Sequence, residues 1–578
     1  MNYLEKRFVW AAEEVEKFLK SNFADLIEVD REKYGRQWDV DLELSGRKER
    51  VRISLPLEFP SLPPKIRVLN SALYWLYIPH VQENGNLCLY TNASALMVDS
   101  PTLLLKDALE RASKIIGSPD LSDFDDEIFS YWTKPYGDRY EVLVLTSDGR
   151  IPSDYWLFKA SSKVIVSDDA EKLKLWCDNY GIWDETRVSR GSRIDLKNKL
   201  NPADYPNNVH DYEKLLEKNG SEEHLKELRN HLLSGQNDSI ALLRYIGSKG
   251  KVDVAVCIPV MSLDTNSFSK GFRRGRMRAE VVWSRASYKM KSMKLGRLSI
   301  QPVHHNYIHS RGGNGEDFST KKIVLVGCGA LGSHVAHFLA KSGVGHLVLI
   351  DDQYLSWDNI GRHLLGALFV MKNKAKSLSI MLQHDYPHLK IEAIEKPIQK
   401  LLIYEPEKLL DADLILSCVC DWAPEYDLNA WGRSEKNTPG ILHGWLEEHA
   451  VAGHALLVHP SLGGCLACDC DKWGVFDHKV IRDYNRPLQK GTGCSGFYQP
   501  YGALAMLPVV QLIGKTALDY LSGSIDKSEL RTWIAPKSDF EKLELECSDI
   551  WANIFSDNYD GRYHRQAWKI GENCVHCK

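Results

Sequence analysis

The chain has 578 residues, 44% of them hydrophobic and 26% charged. At about 150 residues per domain this allows three or four globular cores and excludes wholesale disorder. Lys and Arg number 73 against 77 Asp and Glu, a net charge of −4, so no global charge excess points to nucleic acid. Met1 to Asp30 carries acidic residues throughout and no apolar signal region, which makes a cytoplasmic location the expectation. Within it Phe8, Ala11, Val15, Phe18 and Leu19 recur at helical spacing. Trp38 to Leu44 and Val51 to Leu55 alternate with period two, Lys65 to Val68 is a third short strand, and Leu103 to Ile116 is again helical. This order predicts an α+β domain over residues 1–140.

Residues 141–312 predict a mixed α/β linker domain. Val142 to Leu145, Lys163 to Val166 and Val252 to Val256 read as strands, and Asp211 to Leu233 as one helix. The basic stretch Arg273 to Arg297 reads as a solvated face rather than a nucleic-acid patch, and Gly312-Gly-Asn-Gly marks a boundary. From Lys321, apolar strands (Ile323 to Val326, Leu347 to Ile350, Leu414 to Ser417) alternate with helices. Residues 313–578 are therefore expected to hold a doubly wound α/β domain. Gly496 to Gly514 is apolar, and its Gln499, Pro500 and Gln511 make it a buried helix with its approach loop.

Gly327-Cys-Gly-Ala-Leu-Gly332 follows a strand and opens a helix. Gly327, Gly329 and Gly332 allow close backbone approach to phosphate, and the helix N-terminus supplies free N–H groups. Asp351, at the end of the next strand, suits ribose hydroxyls. To this point NAD and ATP are equally served. Arg362 and Lys374 favour a triphosphate, and Asp421, just beyond a third strand, suits Mg²⁺. Hydride transfer needs neither.

The stretches VLVGCGALGSHVAHFLAKSGVGHLVLIDD, DNIGRHLL and LILSCVCDWAPEYDLN resemble the ThiF/MoeB/ubiquitin-activating (E1-like) superfamily over about residues 320–520. The resemblance implies ATP-dependent adenylation of a protein C-terminal carboxylate. Asp351 would hold ribose, Asn359, Arg362 and Lys374 would contact phosphates, and Asp421 would bind Mg²⁺. Gln353 stands where a second acidic residue is frequent. Such domains often take an arginine from a dimer partner's segment before the first strand, for which Arg311 is the candidate.

Thirteen cysteines in such a chain read as metal or thiol chemistry rather than disulfides. Cys465-Leu-Ala-Cys468 and Cys574-Val-His-Cys577 are two CxxC knuckles, a spacing that suits a closed, structural Zn²⁺ site. Cys470 offers an alternative ligand. Cys494 lies among glycines in Gly491-Thr-Gly-Cys-Ser-Gly, where a mobile thiol could reach an acyl-adenylate. Cys547 competes for that role, but its acidic neighbours would raise its pKa.

Phe59-Pro60-Ser-Leu-Pro63-Pro64 and Gly85-Asn-Leu-Cys88-Leu resemble the ubiquitin-conjugating (E2-like) fold over about residues 1–120, which makes Cys88 a second acyl-carrying thiol. The usual His-Pro-Asn is represented only by Pro79-His80-Val81, and Asn84 or Asn86 is expected to replace its asparagine. An activating domain behind a conjugating domain resembles the E1–E2 fusions of bacterial type II CBASS antiphage operons. That resemblance implies a homodimer, a cGAS-like nucleotidyltransferase partner activated at its C-terminus, and lysine-bearing targets. The competing readings are a sulfur-carrier adenylyltransferase with an accessory N-terminal domain, and an inactive scaffold.

Overall fold

The computed structural model describes residues 3–32, 35–44, 47–90, 98–126, 131–132, 140–234, 237–260, 284, 287–310, 315–419, 421–435, 437–471, 474–482, 489–490, 497–498, 500–551, 561–572 and 574–577. Cys494, Arg311, Arg273, Arg274, Arg276, Arg278 and the Gly312 boundary lie outside them. The chain divides into two compact units. One comprises Met1–Val144, Arg150–Asp168 and Ser189–Gln301; the other comprises Leu145–Gly149, Asp169–Val188 and Pro302–Lys578.

In the first unit, helix α1 (Tyr3–Asn22) precedes an antiparallel meander of β1 (Ile27–Glu32), β2 (Gly35–Leu44), β3 (Arg47–Leu55) and β4 (Lys65–Val68), and helix α2 (Pro101–Gly117) follows. The period-two pattern sends Trp38, Val40, Val51 and Ile53 into a core closed by Phe8, Val15, Leu104, Leu105 and Ala108. On the other sheet face Asp39 and Asp41 pair across β2 and β3 with Arg52 and Arg50, each at 2.8 Å. The Phe59–Pro60 peptide bond is cis.

The same unit holds two more sheets. One has the order β13 (Ile300–Pro302), β5 (Glu141–Val144), β7 (Lys163–Ser167), β6 (Asp154–Lys159), β8 (Val188–Ser192). The other runs β12 (Gly296–Leu298), β11 (Lys251–Ile258), β10 (Ser239–Ile246), β9 (Ile194–Asp195). The helix expected over Asp211 to Leu233 is two, α3 (Val209–Asn219) and α4 (Glu222–Ser234). They break at Gly220, where a Cβ would stand 2.8 Å from the Leu216 carbonyl oxygen. Within the basic stretch read as a solvated face, Lys291 and Lys294 are exposed, but Arg297 is an exception: it is buried, with its guanidinium over Trp132 and Tyr205 at 5.9 and 5.7 Å.

The second unit is built on an eight-stranded sheet of order β16 (Lys390–Ile394), β15 (His346–Ile350), β14 (Lys322–Val326), β17 (Leu414–Ser417), β18 (Gly440–Leu446), β19 (Ala452–Val458), β22 (Glu529–Ile534), β23 (Arg562–Ala567). The first five are parallel and the last three add antiparallel. A two-residue pair, β20 (Gln489–Lys490) and β21 (Phe497–Tyr498), lies apart from it. Successive residues of β14 face opposite cores, Ile323 and Leu325 on one side and Val324 and Val326 on the other. Burial on both faces explains why these strands read as unbroken apolar runs. Chain order reverses between β14 and β17, the switch point where open α/β sheets bind ligands. Helices α5 (Ala330–Lys341), α6 (Lys374–Asp385), α7 (Trp422–Ser434) and α8 (Ala503–Leu521) cover the sheet. Helix α8 is long and apolar enough to cross a membrane, but its Met506, Val509, Val510 and Ile513 pack in the core of this unit.

Candidate active site

The turn from β14 into α5 shapes the floor of a cavity of about 930 Å³, within the range that holds cofactor-sized ligands. Gly327 has φ +89°, and a Cβ there would stand 2.8 Å from the Cys418 backbone. A Cβ on Gly332 would stand 1.9 Å from the Gly327 carbonyl oxygen. These two glycines let helix and strand approach each other. Gly329, the N-cap of α5, has open space at its Cβ position and lines the cavity. The α5 N-terminus there suits an anion.

Asn359, Arg362 and Lys374 line the same cavity. Lys374 opens α6 and is buried; its Nζ donates to Gln353 Oε1 at 2.8 Å. Gln353, the departure noted in the sequence, is thus the group that aims the lysine. The Arg362 guanidinium lies 5.5 Å over the Tyr501 ring. Asn359 Oδ1 accepts from Ser356 N and Oγ, both at 3.1 Å, which fixes the short turn before Arg362.

Asp351 sits behind the glycine turn. Its carboxylate accepts from the N–H groups of Cys328 and Gln353, each at 2.8 Å. Burial raises its pKa, while those N–H groups and the nearby Lys374 pull the other way. Asp421 caps α7, accepting from Ala423 N at 3.4 Å. It follows closely on Cys418 and Val419, which line the cavity.

His363 escaped notice although it directly follows Arg362. It is buried, and its Nδ1 accepts from Leu365 N at 3.0 Å, so its Nε2–H donates to the Cys328 carbonyl at 2.7 Å. Burial holds its pKa down to about 4. A neutral imidazole therefore ties the Asn359–Arg362 segment to the glycine turn.

Cys465, Cys468, Cys574 and Cys577 bring their sulfurs together within 4.8 Å of one another. The separations are 3.5 Å for Cys465–Cys574, 3.9 Å for Cys465–Cys468 and 3.6 Å for Cys468–Cys577. Zn–S bonds of about 2.3 Å in a tetrahedron require edges of about 3.8 Å, so the four thiols fit zinc. Asn429 Nδ2 donates to Cys465 Sγ at 3.5 Å, and Trp568 Nε1 donates to the Cys465 carbonyl at 2.9 Å. Cys470 Sγ instead bonds the Leu466 carbonyl.

In the first unit Cys88 is exposed, between the buried Leu87 and Leu89. It ends a tight turn in which Cys88 N donates to the His80 carbonyl (2.9 Å) and Leu87 N to the Ile66 carbonyl (2.9 Å). Gly85 has φ +84°, and a Cβ there would meet the Val68 carbonyl at 2.2 Å. Asn84 and Asn86, the amides expected to serve the thiol, lie in this turn. Asn84 Oδ1 accepts from Asn86 N at 3.0 Å inside the turn, whereas Gln82 Nε2 reaches Cys88 Sγ at 3.5 Å. Beside the thiol, His80 Nε2 bonds Asp123 at 3.0 Å. Cys547 is half-buried, and burial lifts its thiol to about 12, which does not suit a nucleophile.

Residues 308–545 match the ThiF family. Over 479 residues the chain is 23% identical to the ATP-dependent ubiquitin transferase-like protein Cap2 of Pseudomonas aeruginosa, covering 77% of this chain and 80% of that one. It is 27% identical over 203 residues to ubiquitin-like modifier-activating enzyme 5 of Drosophila mojavensis, spanning 33% of this chain and about half (47%) of that relative. The crystal structure of Escherichia coli MccB with MccA-N7isoASN matches with a TM-score of 0.32 and 19% identity, over 45% of this chain and 68% of that one. The second unit thus carries a ThiF/E1-like α/β adenylation domain, and the likeness to Cap2 spans most of the chain.

Proposed function

We propose, on the premise of this resemblance to the Cap2-type E1–E2 fusions, that the chain activates a partner protein and conjugates it through two thiols. The observation that carries the reading is the cavity at the β14–β17 switch point, where Gly329, Arg362 and Lys374 converge. A partner's C-terminal carboxylate attacks the α-phosphate of ATP there, and pyrophosphate leaves. Lys374 and Arg362 are placed to neutralise the phosphate charge that builds up. Mg²⁺, held by Asp421, would add charge neutralisation on the phosphates.

The resulting mixed anhydride is a good acyl donor. The Cys494 thiolate attacks its carbonyl carbon and AMP departs. Cys88 then displaces Cys494 in a thioester exchange. Finally a target lysine amine attacks the Cys88 thioester, an amide forms, and the thiol is released. In the two steps at Cys88 the carbonyl oxygen gains charge, and the Gln82 amide beside that thiol would donate to it. Zinc held by Cys465, Cys468, Cys574 and Cys577 would tie the chain's last residues to the adenylation domain. A closed four-sulfur shell supports structure rather than catalysis.

The same resemblance makes the activated partner a cGAS-like nucleotidyltransferase, the assembly a homodimer, the setting the cytoplasm and the biological role antiphage defence. Intact-mass analysis with ATP, Mg²⁺ and each operon-neighbour protein, with and without reductant, tests the reading. A reductant-sensitive adduct on Cys494 and then Cys88 is expected. An adenylated partner without any thioester on this chain would replace the reading by a sulfur-carrier adenylyltransferase.

A further inference from the structure

Helix α7 carries Asp421 at its N-cap, then Glu425 and Asn429 at intervals of four, so the three lie along one face. Glu425 and Asn429 are buried, Asn429 to within 1% of its surface. An asparagine is a poor choice for a buried helix interior, because both ends of its amide need partners away from water. Those partners lie on the four-cysteine cluster.

Glu425 sets the helix. Its Oε1 accepts from Ser417 Oγ at 2.7 Å and its Oε2 accepts from His443 Nδ1, all three side chains being buried. Ser417 closes β17 and His443 lies in β18, so the carboxylate fixes the rotation of α7 against two strands. One turn on, about 6 Å along the axis, Asn429 meets the cluster. Its Oδ1 accepts from Leu466 N at 2.9 Å, and its Nδ2 donates to Cys465 Sγ at 3.5 Å. The amide has one orientation open to it. A backbone N–H only donates, so the oxygen must face Leu466 and the NH₂ group must face the sulfur. The Cys465 backbone is held as well: its carbonyl accepts from Trp568 Nε1 at 2.9 Å, and its N–H donates to Cys468 Sγ at 3.2 Å.

Thiols bind zinc only when deprotonated, and a preformed arrangement of ligands raises affinity. Four thiolates around one divalent cation leave an excess of negative charge in the shell. A donor aimed at one sulfur draws off part of that charge and fixes the direction in which the sulfur points. Asn429 does both from a helix that is itself pinned to the sheet.

We propose that Asn429 is a positioning residue of the four-cysteine centre: its amide holds Cys465 Sγ in place for zinc and thereby sets the affinity of the centre for the metal. The proposal rests on the reading of Cys465, Cys468, Cys574 and Cys577 as a zinc site. It goes beyond that reading by naming a residue outside the four sulfurs on which the site depends.

The test titrates full-length wild type and Asn429→Ala with Zn²⁺ against a chromogenic chelator. The dissociation constant is expected to rise about 10- to 100-fold in the variant. Equal constants in the two proteins would overturn the role of Asn429. A wild type that takes up no zinc would instead overturn the cluster reading on which the proposal rests.

Co²⁺ in place of Zn²⁺ provides a readout that loosened packing alone would not move. Loss of an N–H donor leaves more charge on the sulfur, so the sulfur-to-cobalt charge-transfer band is expected to shift to lower energy in Asn429→Ala. An unmoved band would overturn the proposal even if the affinity fell. A further measurement needs no variant. In a crystal structure of the zinc-loaded wild type, Asn429 Nδ2 is expected to remain within hydrogen-bond reach of Cys465 Sγ, and an amide turned away from the sulfur would overturn the proposal.

Discussion

The Cys88 turn and the nucleotide cavity solve different problems with different amounts of protein. Cys88 stands exposed on a short loop, held by backbone hydrogen bonds and two flanking leucines. One side-chain amide, that of Gln82, reaches its sulfur. The cavity instead recruits buried side chains from several elements: Lys374 through Gln353, the glycine turn through Asp351 and His363. The first site can lose its chemistry without losing its fold. In the second, chemistry and stability share the same hydrogen bonds.

The largest effect is expected at the exposed site. Cys88→Ala should abolish conjugate formation and leave the acyl group on Cys494, with melting temperature unchanged; normal conjugate yield in a gel assay would remove Cys88 from the pathway. The opposite behaviour is expected at the four-cysteine cluster. Cys465→Ser or Cys574→Ser should lose bound zinc by metal analysis and destabilise the second unit by several kcal/mol, on the order of 10 °C in melting temperature. Equal stability with and without chelator would show that the thiols hold no structural metal.

His363 links stability to pH. Its pKa is about 4 in the folded chain and roughly 6.5 when unfolded. Between these values the unfolded state binds more protons, so this contribution is fully present above about pH 6.5 and is lost as pH falls toward 4. It amounts to roughly 3 kcal/mol. Denaturant titrations at pH 7 and pH 4.5 should show that loss in wild type and a smaller one in His363→Asn; identical pH slopes would exclude His363 as the source.

Lys374→Ala should slow ATP–pyrophosphate exchange about 10²-fold, and an unchanged rate would take the lysine out of phosphate stabilisation. Gln82→Ala is expected to slow discharge of the Cys88 thioester roughly tenfold without moving the melting temperature. A discharge rate equal to wild type would return the oxyanion role to another donor.

The parallel strands β14, β15 and β17 were legible because burial on both faces leaves continuous apolar runs. The last parallel strand, β18, and the antiparallel extension that begins with β19 were not. β18 and β19 carry Gly, His and Trp among apolar residues and are buried on both sides, so neither a period of two nor a clean apolar run survives. The split of Asp211–Leu233 into two helices was signalled by Gly220, but only its contact with Leu216 shows that the helix must end there. In the candidate site, Gly329, Asn359, Arg362 and Lys374 carried their own signals and meet at one cavity. His363 carried a weak one, since an isolated histidine has no spacing to reveal its partner. Gln82 was passed over because the resembled His-Pro-Asn motif directs attention to an asparagine.

Sequence alone determined the residues that chemistry needs at short range: glycines for a close turn, a thiol beside a glycine, cysteines with two residues between them. These are local requirements, readable because the chain satisfies them within a few positions. Only the tertiary structure decided which distant groups serve them. Gln353 aims Lys374, the CxxC knuckles meet across more than a hundred residues, and Glu447 and His449 bond residues 33 and 51 positions away. Such pairings depend on sheet order and helix placement, which bring groups together irrespective of their separation along the chain.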